Sequence, residues 1–239
     1  MGLLPPLARA EHAVEMLDEP APLADLAESL SDVARLNALF GGRAITLAQL
    51  QQLFARVPRT RRITVLDVGT GGADIPRALV RWARKSGRPI RVIALDRDQA
   101  TLQIARRRSA RYPEIVVLRG DALALPVRPH SVDVAISALT LHHLEPADAV
   151  RSLAEMDAAA RSGFVVNDLM RSRRGYALVW LATRVLTRNR MSRHDGPLSV
   201  WRSYTPQEVR ALCEKAGLFD VRIRRYPFCV RQCAVRSKP

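Results

Sequence analysis

Three acidic residues and one glycine-rich run have the types and spacing needed to bind a small ligand. Asp67 ends an apolar, β-branched stretch and is followed by the run Gly69-Thr70-Gly71-Gly72, while Asp96 and Asp121 follow two later stretches of the same kind. Glycines allow a sharp turn and let a ligand approach backbone amides closely. A carboxylate at a strand end can accept hydrogen bonds from both hydroxyls of a ribose. The pattern therefore predicts a ligand that contains a ribose.

The charge of the glycine-rich run argues against a dinucleotide as that ligand. The dinucleotide pattern G-x-G-x-x-G would place its third glycine at position 74, which is Asp74. Asp67 lies two residues before the first glycine, where its carboxylate would face the ligand. Because two carboxylates repel a diphosphate and attract a cation, we expect a cationic ligand.

Alternating strands and helices must position these residues. Five stretches read as strands, at 63–68, 90–96, 115–119, 132–137 and 164–167, and the helices between them lie near 75–86, 98–109 and 146–160. This alternation predicts an α/β fold with a mostly parallel sheet that is covered by helices on both faces. Two final runs, 221–225 and 228–235, are separated by Pro227 and predict an antiparallel pair at one sheet edge.

Helical additions are expected on either side of this core. Residues 1–60 form a predicted helical N-terminal segment, and the catalytic domain spans 61–239 with a cap insertion at about 171–204. Within the insertion we predict a helix at 175–187, followed by a polar stretch, 188–203, with few signals of regular structure. Thr205 and Glu208 then form a capping box at the start of the next helix.

The segment 65–168 resembles the class I S-adenosylmethionine (SAM)-dependent methyltransferases. Its run Asp67-Val68-Gly69-Thr70-Gly71-Gly72-Ala73 is similar to the family motif D/E-x-G-x-G-x-G, with Ala73 at the third glycine position, and Gly120-Asp121-Ala122 is similar to the third-strand motif. The resemblance implies a Rossmann-like, seven-stranded sheet in which only the last hairpin strand is antiparallel. It also implies SAM as cofactor and S-adenosylhomocysteine as product.

The resemblance further implies a set of residues that bind SAM: Asp67, Gly69, Thr70, Gly71, Asp74, Asp96, Arg97, Asp121, Ala122 and Ser137. In the family pattern, Asp67 and the loop glycines hold the methionine part and Asp96 holds the ribose. Asp121 would accept from the adenine amino group, and the Ala122 amide would meet a ring nitrogen. Ser137 would lie beside the methionine part.

Histidines offer a base for an acceptor that must lose a proton. His142 and His143 follow the fourth predicted strand, at the edge of the sheet where ligands of open α/β folds bind. We prefer His143 as the base, and either histidine could instead cap or pack. His194, beside Asp195 in the polar stretch of the insertion, is the rival candidate.

The acceptor is expected to be a small molecule. The position of the [DNS]-P-P-[YFW] motif of adenine and glutamine N-methyltransferases reads Ser137-Ala138-Leu139-Thr140, and no Pro-Cys dipeptide is present. The apolar helix of the insertion favours an aromatic, phenolic, polyketide-like or quinol-like acceptor that is methylated on oxygen. Methylation on carbon, an RNA or protein acceptor, and a non-enzymatic SAM-binding module are the alternatives. Arg43, Arg171 and Arg202 are candidates to bind a carboxylate of SAM or of an acidic acceptor.

Composition narrows the partners and the location. The formal net charge is +15, but only three of the basic residues are lysines and the arginine runs lack interleaved aromatic residues, which disfavours a nucleic-acid groove. No stretch is long enough for a membrane span, and the apolar start at 1–8 is too short for a signal sequence, so a cytoplasmic protein is expected. Three cysteines without metal-ligand spacing predict reduced thiols and no metal site, while a homodimer is left open.

Overall fold

A seven-stranded sheet forms the centre of the protein, whose computed structural model describes residues 7–238. The strands are β1 (Ile63–Val68), β2 (Ile90–Asp96), β3 (Ile115–Arg119), β4 (Val134–Ala138), β5 (Gly163–Leu169), β6 (Arg222–Tyr226) and β7 (Arg231–Ser237). Their order is β3-β2-β1-β4-β5-β7-β6, and β7 is antiparallel to both of its neighbours. The predicted α/β fold with an antiparallel C-terminal hairpin strand is confirmed. The predicted start of the fourth strand is wrong, because Val132 forms only an isolated bridge with Ala160.

Eight helices surround the sheet: α1 (Leu23–Leu39), α2 (Gly42–Phe54), α3 (Asp74–Ser86), α4 (Gln99–Ser109), α5 (Pro146–Ala159), α6 (Arg173–Leu186), α7 (Arg190–Arg202) and α8 (Pro206–Lys215). The side chains of consecutive strand residues point to opposite faces, so Val65 packs with α2 and α3 while Leu66 packs with α5 and α8. Both residues are fully buried, as expected for a parallel strand covered on both sides. The Thr205 and Glu208 capping box begins α8.

The polar stretch predicted to be irregular is in fact helix α7. Asn189 caps its first turn by accepting a hydrogen bond from the Ser192 amide, at 3.1 Å. The prediction was wrong because α7 buries polar side chains: Asp195, Ser199 and Arg202 are all more than 90% buried. They follow each other at spacings of four and three, which is one face of a helix, but a search for apolar periodicity does not detect them.

The N-terminal residues and the insertion together cover the carboxyl edge of the sheet. Helix α1 packs against α2, α4 and α7, and α6 packs along α7. Residues 1–6 of the apolar start lie outside the described residues. Between residues 7 and 238, none of the helices combines the length and the apolar character needed to cross a membrane. Cys213, Cys229 and Cys233 are unpaired thiols, and burial raises the pKa of Cys213 to about 11.

Candidate active site

The glycine-rich run forms a tight loop between β1 and α3. Gly69 and Gly71 have φ angles of 72° and 52°, in the left-handed region that favours glycine. At Gly69 a side chain is also excluded by space, because a Cβ atom would lie 2.4 Å from the hydroxyl oxygen of Thr140. The loop therefore packs directly against the segment that follows β4, and α3 begins at once with Asp74.

Two of the acidic residues singled out in the sequence are tied to this loop. Asp67 is buried and accepts a hydrogen bond from the Thr70 hydroxyl at 2.6 Å, and Asp96 accepts from the Gly71 amide at 2.9 Å. Burial raises the pKa of Asp67 to about 7; the Thr70 hydroxyl lowers it, and the carboxylates of Asp74 and Asp96 raise it further. The loop therefore holds crowded negative charge, which a positively charged ligand would relieve.

The remaining residues of the predicted cofactor set lie around the same edge. Ser137 pairs with Val68 in the register of β4 and β1, so it stands beside the end of β1. Asp121 accepts from the Leu123 amide at 2.9 Å, in the turn that follows β3. Arg97 is mostly exposed, and its guanidinium lies 3.5 Å from the carboxylate of Asp18. We call the surface formed by the glycine loop, Asp67, Asp96, Asp121 and Ser137 the cofactor edge.

The two adjacent histidines each pair with a carboxylate. They lie in a short 3₁₀ turn, Leu141–His143, directly after the Thr140 contact with the glycine loop. The His142 ring is buried, with Nδ1 2.6 Å from Asp168 Oδ1, while the His142 amide donates to the other oxygen of Asp168 at 3.0 Å. Nδ1 of His143 lies 3.0 Å from both carboxylate oxygens of Asp18. A carboxylate on Nδ1 fixes the ring orientation and leaves Nε2 as the outward nitrogen.

Both outward nitrogens point toward the carboxylate of Glu15. His142 Nε2 is 3.7 Å from Glu15 Oε1, and His143 Nε2 is 3.8 Å from Glu15 Oε2. Ser199 donates to Glu15 at 2.9 Å, and Arg202 lies 3.4 Å from Glu15 and 2.9 Å from Asp18. The guanidinium of Arg202 thus offsets part of the buried negative charge.

These contacts determine how two of the groups titrate. Burial lowers the pKa of His143, but the carboxylates of Glu15 and Asp18 outweigh burial and leave the pKa above its ordinary value. Burial also acts to raise the pKa of Asp18, yet His143 and Arg202 hold it well below its usual range. Asp18 is therefore ionised at neutral pH, and protonated His143 is stabilised.

Residues near the N-terminus reach this cluster because α7 anchors them. Asp195 accepts hydrogen bonds from the backbone amides of Met16 and Leu17, at 2.8 and 2.9 Å. This contact fixes the short turn Met16–Asp18, and with it the flanking Glu15 side chain. Segments more than 120 residues apart in the chain are thereby joined around the histidines.

A largely apolar cavity of about 190 Å³ opens beside the histidines. Its wall is formed by α1, α6, α7, the end of β5 and the start of β7, and the residues of the wall include Leu36, Phe40, Leu139, Leu169, Val179 and Val230. Its polar lining includes Glu15, His142, His143, Asp195 and Arg231. We call this cavity the acceptor pocket.

The structure separates the third candidate base from the other two. His194 is half exposed, is hydrogen-bonded to Asp195 at 2.7 Å, and is not part of the pocket wall. Glu15 and Asp168 contact His142 but were not among the residues predicted from the sequence. Asp168 could have been found by the criterion used for Asp67 and Asp96, since it too lies at the end of a strand. Glu15 has no such signal, because only tertiary contacts bring it to the site.

The sequence predicts no metal site, but three side chains of the structure lie close enough together to act as metal ligands. Glu15, His142 and His143 each offer one ligand atom, and these atoms lie within 4.8 Å of one another. Two imidazoles and a carboxylate are ligands that divalent transition metals accept. Arg202 already places a positive charge beside Glu15, so the arrangement is equally suited to moving a proton without a metal.

Comparison with known proteins finds a methyltransferase domain within the chain. Residues 65–163 match the model of a methyltransferase domain family. This match and the seven-stranded fold support a class I SAM-dependent methyltransferase domain. The resemblance stated from the sequence motifs is confirmed.

Two curated relatives each match part of the chain. One is 2-phytyl-1,4-naphtoquinone methyltransferase of Thermosynechococcus vestitus, 48% identical over 68 residues, which are 28% of this chain and 29% of that protein. The other is malonyl-[acyl-carrier protein] O-methyltransferase of Xylella fastidiosa, 39% identical over 100 residues, which are 41% of this chain and 31% of that protein. Each match spans less than a third of the relative's length.

The fold also extends to a solved methyltransferase structure. The human N-acetylserotonin methyltransferase in complex with SAM superposes with a TM-score of 0.66 at 15% identity, over 91% of this chain and 56% of that chain. At this identity the similarity concerns the fold alone. It extends well beyond residues 65–163, and so includes elements outside the matched family segment.

Proposed function

We propose that this protein transfers a methyl group from SAM to an oxygen of a small phenolic, polyketide-like or quinol-like acceptor, with a histidine as general base. The observation that carries the proposal is the position of the His142–Asp168 pair. The His142 ring lies on the wall of an apolar cavity. His142 also comes soon after Thr140 in the chain, and Thr140 contacts the cofactor loop.

The residues at the cofactor edge fit SAM. Burial raises the pKa of Asp67, and the carboxylates of Asp74 and Asp96 raise it further. The amino group and sulfonium of SAM are both cationic and would stabilise the ionised carboxylate. Asp67, the loop glycines and Ser137 would hold the methionine part, Asp96 the ribose, and Asp121 with the Ala122 amide the adenine. When bound there, SAM supplies an electrophilic methyl carbon.

His142 is the better placed of the two neighbouring histidines to accept the acceptor's proton. Its partner Asp168 is buried and bonded to His142 and the Leu169 amide, whereas the partner of His143, Asp18, already shares its charge with Arg202. Nε2 of His142 would accept the proton of the acceptor hydroxyl, so that the oxygen could take the methyl group that bound SAM would supply. Asp168 would stabilise the resulting imidazolium.

The acceptor class is supported by the pocket and by the relatives. The pocket wall is mainly aliphatic and aromatic, which suits a ring or an alkyl chain. One curated relative is named for a naphthoquinone substrate, and the other is an O-methyltransferase. Methyl transfer to an activated carbon of a similar acceptor would use the same pocket and base.

A calorimetric and product assay tests the proposal. We expect the purified protein to bind SAM and S-adenosylhomocysteine, and Asp96→Ala to weaken both by roughly 10- to 100-fold, because a charged acceptor of hydrogen bonds is lost. Asp220→Ala is the matched control, since Asp220 is exposed and far from the cofactor edge in the fold. Incubation with SAM and phenols or quinols should yield methylated product, and mass spectrometry with NMR assigns oxygen or carbon. Folded protein that binds neither ligand would refute the proposal.

An RNA acceptor is the second candidate that an observation favours, namely the net charge of +15. Binding to RNA through scattered arginines would decline steeply with salt. Methylation of RNA, together with retention on RNA at physiological salt, would support this candidate over the small-molecule acceptor.

A further inference from the structure

Arg231 is a buried cation without a counterion in contact. The residue is 4% exposed, and its Nε and Nη1 atoms have no hydrogen-bond partner within residues 7–238. A guanidinium stays charged in a protein, and leaving it buried and unpaired costs several kcal/mol in general. Burial lowers the pKa of Arg231. The carboxylates of Asp168 and Asp74, which are not in contact with the guanidinium, and two cysteines act in the opposite direction.

Two of the three arginines that the sequence singled out are already occupied. Arg171 donates to the Ser203 carbonyl and forms an ion pair with Glu208, and Arg202 pairs with Glu15 and Asp18. Both therefore stabilise the cap over the pocket. Arg231 differs because its Nε and Nη1 atoms make no hydrogen bond among the described residues, and the neighbouring Oδ1 atom of Asn37, which also lies against Gly42, is unpaired as well.

A second positive feature lies against the Arg231 guanidinium. A Cβ atom on Gly42, the first residue of α2, would lie 2.5 Å from Arg231 Cζ, so the guanidinium packs on the helix start. Helix α2 has 13 residues, and its N-cap residue is Gly41, which has no side chain that could cap the first amides of the helix. The N-terminus of a helix carries partial positive charge and free amides, which attract an anion.

Arg231 belongs to the wall of the acceptor pocket, and the start of α2 contacts its guanidinium. Arg231 pairs with Leu169 in the register of β7 and β5. Leu169 directly follows Asp168, the partner of His142. An anion bound by Arg231 would thus lie in the same cavity as the proposed base, with mostly apolar surface around it.

We propose that Arg231 and the start of α2 form a carboxylate-binding site, which takes the acid group of a ligand in the acceptor pocket. This proposal rests on the proposed function, which places the acceptor in this pocket, and it adds that the acceptor carries an acid group. The carboxylate could also be that of the SAM methionine part, so the test separates the two sources. Asp74 and Asp168 face the same guanidinium and would limit the site to one anionic group.

Direct binding to matched probes tests the site without turnover. Olivetolic acid is an alkylated resorcylic acid, and olivetol is the same molecule without the carboxyl group. We expect the wild-type protein to bind olivetolic acid more tightly by roughly 10- to 100-fold, as for a charge-assisted hydrogen-bonded pair, and Arg231→Met to abolish that preference. Arg231→Lys should restore part of it. The matched control is Arg225→Met, an exposed arginine on the neighbouring strand β6.

A parallel arm uses S-adenosylhomocysteine and its decarboxylated analogue. If Arg231→Met removes the preference for the carboxylate in this pair instead, the site exists and its carboxylate is that of the cofactor. An unchanged preference in both pairs for the folded variant would overturn the site.

Thermal unfolding supplies an independent readout. Since Met fills similar apolar space and removes an unpaired buried cation, ligand-free Arg231→Met should have an equal or higher Tm. A marked loss of Tm would mean that Arg231 stabilises the fold itself, and would overturn the site. Failure of the proposed function is recognised separately, because it removes SAM binding by the wild-type protein and leaves the olivetolic acid comparison intact.

Discussion

The cofactor edge and the acceptor pocket lie side by side but are built in different ways. The cofactor edge takes its residues from four consecutive strand ends between Asp67 and Ser137, and the pairing of parallel strands brings them together. The acceptor pocket takes its polar residues from the segment near the N-terminus, the 3₁₀ turn that follows β4, α7 and β7. The first region depends on sheet topology, and the second on long-range side-chain contacts.

The two regions also differ in how far their buried carboxylates are paired with positive charge. At the cofactor edge, Asp67 and Asp96 form no ion pair among the described residues, whereas Arg77, Arg108 and Arg231 act on the neighbouring Asp74, so a positively charged ligand would relieve the repulsion felt by Asp67. Around the histidines, the carboxylates of Glu15 and Asp18 are matched by Arg202 and the imidazoles. Changes at the cofactor edge should therefore alter ligand affinity, whereas changes around the histidines should alter turnover, pH dependence or the stability of the cap.

The largest expected effect separates turnover from cofactor binding. Replacing the proposed base by His142→Gln should lower kcat by about 10²- to 10⁴-fold, the usual contribution of general base catalysis, while SAM affinity stays within about twofold. Steady-state kinetics and calorimetry measure the two quantities. His194→Gln is the matched control and should leave both unchanged, because His194 lies outside the pocket wall. Equal losses in the two variants would contradict the assignment.

A smaller effect is expected from Asp67→Asn at the cofactor edge. With the pKa of Asp67 near 7, SAM should bind more tightly as the pH rises from 6 to 8, because the cation favours the ionised carboxylate. Asp67→Asn should weaken SAM binding by roughly 10-fold at pH 8 and remove this pH dependence.

The same substitution should stabilise the ligand-free protein. Asp67 has a higher pKa in the folded state than in the unfolded chain, so its ionisation lowers stability as the pH rises through the range up to about 7. Asp67→Asn removes that loss, and its Tm at pH 8 should exceed that of the wild type. A lower Tm would show that the ionised carboxylate stabilises the loop.

Asp195→Ala should weaken the acceptor pocket without changing the cofactor edge. Two backbone amides, of Met16 and Leu17, would lose their acceptors, which costs about 1–3 kcal/mol per unsatisfied buried group. We expect a lower Tm and a higher KM for the acceptor, with unchanged affinity for S-adenosylhomocysteine. Asp25→Ala, on the exposed side of α1, controls for loss of a surface carboxylate. A parallel loss of cofactor affinity would argue that the two regions are one unit.

The smallest effect concerns the titration of His143. Because Asp18 helps to raise the pKa of His143, Asp18→Asn should lower that pKa and shift the corresponding signal in an NMR titration to lower pH. If turnover requires neutral His143, the ascending limb of the kcat/KM profile shifts in the same direction. If the NMR signal of His143 shifts but the pH profile of kcat/KM does not, the base is His142.

The sequence predicted the cofactor edge better than the pocket because local signals define it. Gly69 and Asp67 are neighbours in a strand-to-loop motif, and sheet alternation then places Asp96 at the adjacent strand end. Helix α7 was not predicted, because its buried face carries Asp195, Ser199 and Arg202 in place of apolar residues. Its burial depends on partners near residue 15, which no local pattern reveals.

By itself the sequence determined the α/β fold, the strand-end carboxylates and the family, because periodicity and turn residues act over a few positions of the chain. Only the tertiary structure decided which carboxylate contacts each histidine and that Glu15 faces both rings. It also decided which buried arginines form ion pairs: Arg171 and Arg202 contact acidic residues across the fold, whereas Arg231 has no ion-pair contact among the described residues. Pairing of buried charge depends on distances between remote segments, and the fold alone sets those distances.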